Sequence, residues 1–220
     1  MISQSPELIE INDENVEIAS KIFTHAFSKS LSGLFYICTV ERDGFEDRLR
    51  KFFHVSNKFH LSEHQLMLGL IVQDQLVGVA AITNPLYCKS LLKKIVFLIQ
   101  LLWVIDFSTA YRYLRYSNLV NKFLPKGDFL YINRIAVEPD FQRLGYGKIL
   151  LQEIHQRSDK DQKSMGVALE TANPDNVKYY GQLGYQAVYQ IDTPIVQETV
   201  MVRWKNQNKS KFKHCDFQKT

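Results

Sequence analysis

Alternating apolar and polar positions divide the chain into short strands and helices. The run Leu130–Val137 is rich in β-branched and aromatic residues and stops at Pro139, which predicts a buried strand that ends at a turn. After the turn the period changes, and Leu150, Leu151 and Ile154 recur at helical spacing. This stretch therefore predicts a strand, a turn and the start of an amphipathic helix.

The N-terminal part predicts one strand and two helices. These elements cover Glu7–Ile11, about 14–28 and Phe45–Phe53. Asn12 or Asp13 can cap the first helix, because short polar side chains accept hydrogen bonds from the amides of a helix start. The run Leu31–Val40 is apolar and aromatic and fits a strand or a helix equally well.

The remaining elements alternate strands with helices. The predicted strands are Gln65–Val72 and Leu76–Thr83 (a hairpin), Val167–Thr171, Gln186–Gln190 and Thr199–Trp204. Two helical stretches within 86–125 meet near Asp106, and a short helix lies between Pro174 and Gly184. Together these elements predict an α/β domain.

The most apolar run, Ile95–Ile105, contains Gln100 and is shorter than the roughly 20 residues that span a bilayer. It is therefore predicted to be a buried helix, and no membrane partner is expected. An amphipathic helix on a membrane surface is the alternative, because Lys89, Lys93 and Lys94 flank the run. The following helix carries three tyrosines and two arginines between Tyr111 and Tyr116. These side chains either line a substrate pocket or pack and solvate an ordinary helix.

Composition places the basic charge in a tail. The chain has 220 residues, 45% of them apolar, and a net charge of +4. Residues 205–220 hold five lysines and one aspartate, so they account for the whole +4 and leave residues 1–204 neutral. We expect one domain over 1–204, a disordered tail over 205–220 and no nucleic-acid partner, because no basic face is indicated.

The cysteines indicate a reducing compartment. Cys38, Cys88 and Cys215 are odd in number and widely spaced, so neither a disulfide framework nor a metal site is expected. The first residues include Glu7 and Glu10 and lack the long apolar core of a signal peptide. A cytoplasmic protein without a metal is the prediction.

Between the central strand and the next helix lies a glycine-rich turn, Gln142–Gly147. Glycines at a helix start leave amide donors uncovered, which suits a phosphate or pyrophosphate, although such a turn can also be a simple connection. A P-loop is excluded because Ile149 stands where Ser or Thr is required, and Leu150 occupies the third glycine position of a dinucleotide fingerprint. The pattern Gln/Arg-x-x-Gly-x-Gly/Ala is matched in full by Gln142, Gly145 and Gly147.

At this loop the sequence resembles the GCN5-related N-acetyltransferases (GNAT). The lead-in Ala-Val-x-Pro of that family is matched by Ala136–Pro139. A second block, Asn-x6-aromatic-Tyr-x3-Gly-Phe/Tyr, is similar to the segment that contains Asn173, Tyr180, Gly184 and Tyr185. The resemblance is close over about 130–188 and follows element order elsewhere.

The resemblance implies a single GNAT-like domain with a mixed, mostly antiparallel sheet, splayed between the strands that end near Val137 and Thr171. Acetyl-CoA would lie in that opening as co-substrate. The residues implied to bind it are Ile135, Ala136 and Val137 on the strand, Gln142, Arg143, Leu144, Gly145, Tyr146, Gly147 and Lys148 in the loop, and Asn173 and Asn176 beyond it.

The family comparison also implies catalytic roles. Tyr180 matches the tyrosine that protonates the departing CoA thiolate, since a phenol keeps its proton at neutral pH. Glu170, at the end of a short strand, is the candidate general base, with Tyr131 and Asn133 on the central strand as rivals. A solvent route that uses an already neutral amine remains open.

The resulting hypothesis is an N-acetyltransferase that acts on a small-molecule primary amine. An enzyme that acetylates a protein or peptide amine, and a CoA-binding sensor without catalysis, are the alternatives. The acceptor and the oligomeric state are open, and a homodimer is compatible with the sequence.

Overall fold

The computed structural model describes residues 5–28, 44–84, 90–192 and 196–205. They form one α/β domain in which a seven-stranded mixed sheet is flanked by six helices. The strands are β1 (Glu7–Glu10), β2 (Leu66–Val72), β3 (Gln75–Thr83), β4 (Phe129–Val137), β5 (Gly166–Thr171), β6 (Gln186–Asp192) and β7 (Gln197–Trp204). The helices are α1 (Val16–Phe27), α2 (Phe45–Ser62), α3 (Leu91–Val104), α4 (Phe107–Phe123), α5 (Tyr146–Lys160) and α6 (Pro174–Gln182).

The strand order in the sheet is β1-β2-β3-β4-β5-β7-β6. Only the central pair, β4 and β5, is parallel, and every other neighbouring pair is antiparallel. The predicted α/β class and the mostly antiparallel sheet are therefore confirmed.

Helices cover both faces of the sheet. On one face, α1, α2 and α3 bury a core that includes Phe23, Phe52 and Phe53. The centroid of the Phe53 ring lies 5.5 Å from that of Phe23 and 5.6 Å from that of Phe52. On the other face, α5 and α6 pack Leu150 and Tyr180 against the sheet. The two faces of β4 thus belong to different cores, as expected for a central strand.

Helix α2 continues nine residues past the predicted end at Phe53, and its second half is polar in sequence. Its polar side chains are buried because they find partners inside the fold: Asn57 Nδ2 donates to Ser20 Oγ at 2.9 Å, and His60 Nε2 bonds to the carbonyl of Leu66 at 2.9 Å. The start of α1 is also later than predicted. Its N-cap is Asn15, not Asn12 or Asp13.

The prediction of a buried helix at Ile95–Ile105 is wrong. Helix α3 exists, but only Phe97 and Leu101 are buried along its length, while Trp103 is 87% exposed. Within the described ranges, none of the helices has the length and uniform hydrophobicity needed to cross a bilayer. The second helical stretch begins as predicted at Asp106, whose carboxylate accepts from the amide of Thr109.

Some predictions concern residues outside those the structure describes. They include the element at Leu31–Val40, the three cysteines and all but the first residue of the tail at 205–220. The division into a domain over 1–204 and a tail stays a prediction.

The β2–β3 hairpin turns through Gln73 and Asp74, both of which have positive φ, 51° and 60°. A two-residue hairpin turn favours this conformation, but a long side chain in it costs about 1 kcal/mol or more relative to glycine. We expect Gln73→Gly to stabilise the fold by about 0.5–1 kcal/mol after allowance for the greater freedom of glycine in the unfolded chain. Denaturant unfolding measures the change.

The matched control is Gln75→Gly, two residues further on and inside β3. Glycine there has no positive φ to relieve and should destabilise. Equal effects of the two substitutions would contradict the assigned turn.

Candidate active site

The site lies where β4 and β5 separate. Their parallel pairing covers four residue pairs, from Phe129–Gly166 to Ile132–Leu169. Beyond it β4 continues to Val137, paired on its other side with β3, and a register shift makes Asn133 an extra, bulged residue. The far half of β4 therefore presents an edge towards the opening, and such an edge can pair with an extended ligand.

Three of the predicted ligand-binding residues lie on this edge. Ile135 and Ala136 pack into opposite cores, so neither side chain enters the opening, and Ile135 can offer only its backbone groups to it. The carbonyl of Val137 accepts a hydrogen bond from Gln142 Nε2 at 3.0 Å. Gln142 thus ties the glycine-rich loop to the end of β4, a role the motif alone did not reveal.

The loop reaches α5 through two left-handed residues, Arg143 with φ 62° and Gly145 with φ 87°. Gly145 is the N-cap of α5, and a side-chain carbon built on it would meet nothing within 4 Å. Lys148 and Ile149 donate the first helical bonds, both to the carbonyl of Gly145. The amides before Lys148 are thus the donors that a helix start leaves for an anion.

Gly147 is not required by the backbone of α5. Its φ is not positive, and an added side-chain carbon would touch Val137 Cγ2 at an ordinary 3.7 Å. Glycine inside a helix costs about 1 kcal/mol relative to alanine, so the fold alone would favour a side chain here. The bare backbone instead leaves room for a ligand close to the helix start. Leu144 is exposed beside it, and Tyr146 contacts Phe141, with 6.3 Å between the ring centroids.

The other side of the opening is built by the end of β5 and by α6. Asn173 is the N-cap of α6, and its Oδ1 accepts from the amide of Asp175 at 2.9 Å. The carboxamide of Asn176 is exposed and donates to Thr171 Oγ1 at 3.4 Å. Asn173 therefore has a structural task, while the Asn176 side chain lies at the surface.

Tyr180 lies on the buried face of α6 and is 8% exposed. Its ring packs between Tyr179 and Tyr185, with ring centroids 5.5 and 5.6 Å away. Burial, with smaller effects of Tyr179 and the negative charge of Glu170, raises the pKa of the phenol to about 12. Tyr180 therefore keeps its proton at any ordinary pH, and Glu170 is close enough to influence it.

Glu170, near the end of β5, accepts a hydrogen bond from the Tyr131 hydroxyl of β4. Burial of the carboxyl group raises its pKa from 4.5 to about 8, an effect that the Tyr131 bond opposes and the nearby Glu198 charge reinforces. A carboxylate with such a pKa is half ionised in the range where an acid–base catalyst works best.

A second carboxylate extends this cluster. Glu198 on β7 is 1% exposed, and Tyr116 of α4 donates to its Oε1 at 3.0 Å. The sequence prediction missed Glu198 because it began the last strand one residue later, at Thr199. The available signal was alternation, since Glu198 shares a face with the buried residues Val200 and Val202.

The structure gives the two other candidate bases, Tyr131 and Asn133, different environments. Tyr131 is a donor to Glu170, and burial raises its pKa well above 10, so it is no base near neutral pH. Asn133 is exposed, and its Oδ1 accepts from Thr83 Oγ1. The bulge at Asn133 also interrupts the strict alternation of β4 that would otherwise place Asn133 on the same face as Tyr131.

The tyrosines of α4 divide between two roles. Tyr116 reaches the acidic cluster, whereas Tyr113 packs against Phe52 and Phe97 in the core. Among the residues that the structure describes, no three His, Cys, Asp or Glu side chains are grouped so that they could hold a metal ion. The absence of a metal stays a prediction.

A family model described as "Acetyltransferase (GNAT) domain" matches residues 100–187, the stretch that contains β4, the glycine-rich loop, Glu170 and Tyr180. Residues 100–187 thus match a GNAT acetyltransferase domain, and the fold agrees with that match. This confirms the resemblance seen in the sequence and the expectation of an N-acetyltransferase.

Solved structures share the fold at low sequence identity. A Corynebacterium glutamicum structure described as "histone acetyltransferase HPA2 and related acetyltransferase" has a TM-score of 0.66 and 17% identity, over 92% of this chain and 97% of that one. PaiA N-acetyltransferase from Thermoplasma acidophilum, solved with coenzyme A, has a TM-score of 0.55 and 11% identity (91% and 99%). The yncA protein of Salmonella typhimurium, solved with acetyl-CoA, has a TM-score of 0.54 and 12% identity (91% and 94%). No curated protein sequence matches the chain significantly.

The raised pKa of Glu170 makes a prediction about stability. Below about pH 4.5 this carboxyl group is protonated in both the folded and unfolded states. Between about 4.5 and 8 the unfolded chain loses the proton while the folded protein retains it, so the contribution of Glu170 becomes increasingly unfavourable as pH rises and levels off above 8. We expect Glu170→Gln to gain stability relative to the wild type across this window.

Denaturant unfolding of both proteins at a series of pH values measures the difference. Glu14→Gln, which removes one negative charge at an exposed position, is the control. A stability difference between Glu170→Gln and the wild type that is constant from pH 4.5 to 8 would contradict the raised pKa.

Proposed function

We propose that this N-acetyltransferase moves an acetyl group from acetyl-CoA directly to the primary amine of a small molecule, with Glu170 as general base and Tyr180 as general acid. The observation that carries the proposal is the pairing of a carboxylate whose pKa is about 8 with a buried phenol whose pKa is about 12, beside the opening between β4 and β5. One group is suited to accept a proton and the other to donate one.

The opening also suits acetyl-CoA as co-substrate. The edge of β4 at Ile135 and Val137 can pair with the amide groups of a pantetheine arm, and the amides from Arg143 to Gly147 can receive the pyrophosphate. The Lys148 amide already donates to the carbonyl of Gly145. Gly145 and Gly147 keep that helix start free of side chains. Two proteins of the same fold were solved with coenzyme A or acetyl-CoA, which supports this assignment.

The chemistry balances with these two residues. The amine nitrogen attacks the thioester carbonyl carbon, so a C–N bond forms, and the nitrogen gives a proton to the carboxylate of Glu170. The C–S bond then breaks, and the departing thiolate takes the hydroxyl proton of Tyr180. Glu170 then releases its proton to solvent, and Tyr180 takes up a proton from solvent. The products are an N-acetylated amine and free CoA.

The surroundings of Glu170 favour a compact acceptor. Tyr131 on β4 donates to Glu170 and Tyr116 on α4 donates to Glu198, so an aromatic side chain lies against each carboxylate. A protein or peptide acceptor would need an open groove beside the thioester. A sensor without catalysis would have no need of both an acid and a base.

Acetyl-CoA binding tests the loop. Gly145→Asp and Gly145→Asn place side chains of equal shape into the open space at the helix start, and both residue types tolerate positive φ. Only aspartate brings a negative charge towards the pyrophosphate. We expect Gly145→Asp to weaken acetyl-CoA binding by more than about tenfold relative to Gly145→Asn, because like charges repel strongly at this range.

Isothermal titration of both variants measures this ratio, and thermal unfolding verifies that both fold. Equal affinities for acetyl-CoA in the two variants would show that the pyrophosphate does not bind at this loop.

Acetyl transfer tests Tyr180. Tyr180→Phe keeps the ring between Tyr179 and Tyr185 but removes the proton donor. We expect kcat to fall by about 100-fold, as is typical for loss of a general acid, with little change in acetyl-CoA affinity. The measurement is release of CoA thiol with the best acceptor from a panel of primary amines.

Tyr179→Phe is the matched control, since it removes the hydroxyl of the adjacent and more exposed tyrosine. It should leave kcat within about twofold of the wild type. A Tyr180→Phe enzyme as fast as Tyr179→Phe would exclude Tyr180 from the proton transfer.

A further inference from the structure

Most exposed large apolar side chains of the described residues lie on α3 and the first half of α4. Ten of the thirteen fall between residues 91 and 114. They are Leu91, Leu92, Ile95, Val96, Ile99, Leu102, Trp103, Phe107, Tyr111 and Leu114, and we refer to them as the apolar stripe. Such a concentration marks an interaction surface, because isolated apolar residues would be scattered over the protein.

The stripe follows helical periodicity. On α3 its members recur three or four positions apart, as in Leu92, Ile95 and Ile99, while Phe97 and Leu101 on the other side anchor the helix to the core. Phe107, Tyr111 and Leu114 continue the pattern on α4. One face of α3 is thus committed to the fold, and the opposite face is apolar and exposed.

The two helices that carry the stripe, together with the residues that follow them to Lys126, have an excess of positive charge. Residues 91–126 hold six basic side chains and one acidic residue, Asp106, a net charge of +5. The other residues of 1–204 then sum to −5, because residues 1–204 as a whole are neutral. Lys93 pairs with Glu63 at 3.6 Å, whereas Lys94, Arg115, Lys122 and Lys126 are exposed. The domain therefore has a basic, apolar end and an acidic remainder.

We propose that the apolar stripe docks onto an anionic lipid surface, with α3 lying in the interface of one leaflet. Charge decides between this partner and a second copy of the chain. A symmetric contact between two stripes would bring two positively charged helix pairs towards each other, whereas an anionic leaflet attracts the same charge. Lipid also covers the aliphatic side chains to a depth of about 5–10 Å without crossing the bilayer.

The side chains of the stripe suit this position. Trp103 and Tyr111 have rings with a polar atom, which favours the boundary between headgroups and acyl chains. Lys94 can extend its ammonium towards the headgroups while its methylenes stay among apolar neighbours. The expectation of no membrane partner was based on a buried helix at Ile95–Ile105. Because α3 is exposed, that reason no longer holds. This inference does not depend on the proposed acetyl transfer.

Vesicle sedimentation tests the proposal with the full chain. Vesicles of phosphatidylcholine alone are compared with vesicles that also contain phosphatidylglycerol. We expect binding to the anionic vesicles, weaker binding to the neutral ones and a decrease at high salt. Ile99→Glu, at a position 53% exposed, should lower binding to anionic vesicles by about tenfold or more, because it removes an apolar group from the lipid and adds a like charge.

Ile18→Glu is the matched control, since Ile18 is a comparably exposed isoleucine on α1, outside the stripe. It should bind anionic vesicles as the wild type does. Lys94→Glu should also weaken binding, with no change in thermal unfolding, which separates the role of charge from that of folding.

Three results would overturn the proposal. The first is a wild-type chain that sediments with neither kind of vesicle. The second is equal loss of binding in Ile99→Glu and Ile18→Glu. The third is a wild-type chain that does not bind vesicles but forms a dimer, measured by sedimentation velocity, which the substitution Ile99→Glu dissociates. That result would assign the stripe to a second copy of the chain.

Discussion

The short parallel contact between β4 and β5 is the constraint on which the site depends. Four residue pairs hold the strands together, and β5 is then retained by β7 while β4 is retained by β3. The far half of β4 is left with an edge whose backbone groups need partners. The bulge at Asn133 and the bond from Gln142 to the carbonyl of Val137 fix the two ends of that edge. An extended co-substrate is the natural partner for it.

The α3–α4 pair connects this opening with the surface. The inner side of α4 supplies Tyr116, which holds Glu198 beside Glu170 in a buried cluster. The outer sides of α3 and α4 carry the apolar stripe. One pair of helices thus shapes the electrostatics of the candidate base and presents the surface proposed to meet lipid, so substitutions on its two sides are expected to affect different properties.

Local signals explain which parts could be predicted from the sequence. The strand at Phe129–Val137 follows from its β-branched residues, and the helix start at Gly145 follows from a glycine at a position of positive φ; both are properties of a few neighbouring residues. The length of α2 could not be read in this way, because Asn57 is buried through a bond to Ser20, 37 residues away. The exposure of α3 contradicts the rule that apolar helices are buried, and the Tyr116–Glu198 bond joins residues 82 positions apart. The roles of Tyr180 and Glu170 rest on chemistry and family resemblance together.

The decisive measurement is isothermal titration of the wild-type protein with acetyl-CoA, with NAD and ATP as controls that also carry a pyrophosphate or triphosphate. We expect micromolar binding of acetyl-CoA and much weaker binding of both controls, because only acetyl-CoA has a pantetheine arm that can pair with the edge of β4. Equal binding of all three would reduce the loop to an unselective anion site. No binding of acetyl-CoA would show that the opening between β4 and β5 does not hold this co-substrate.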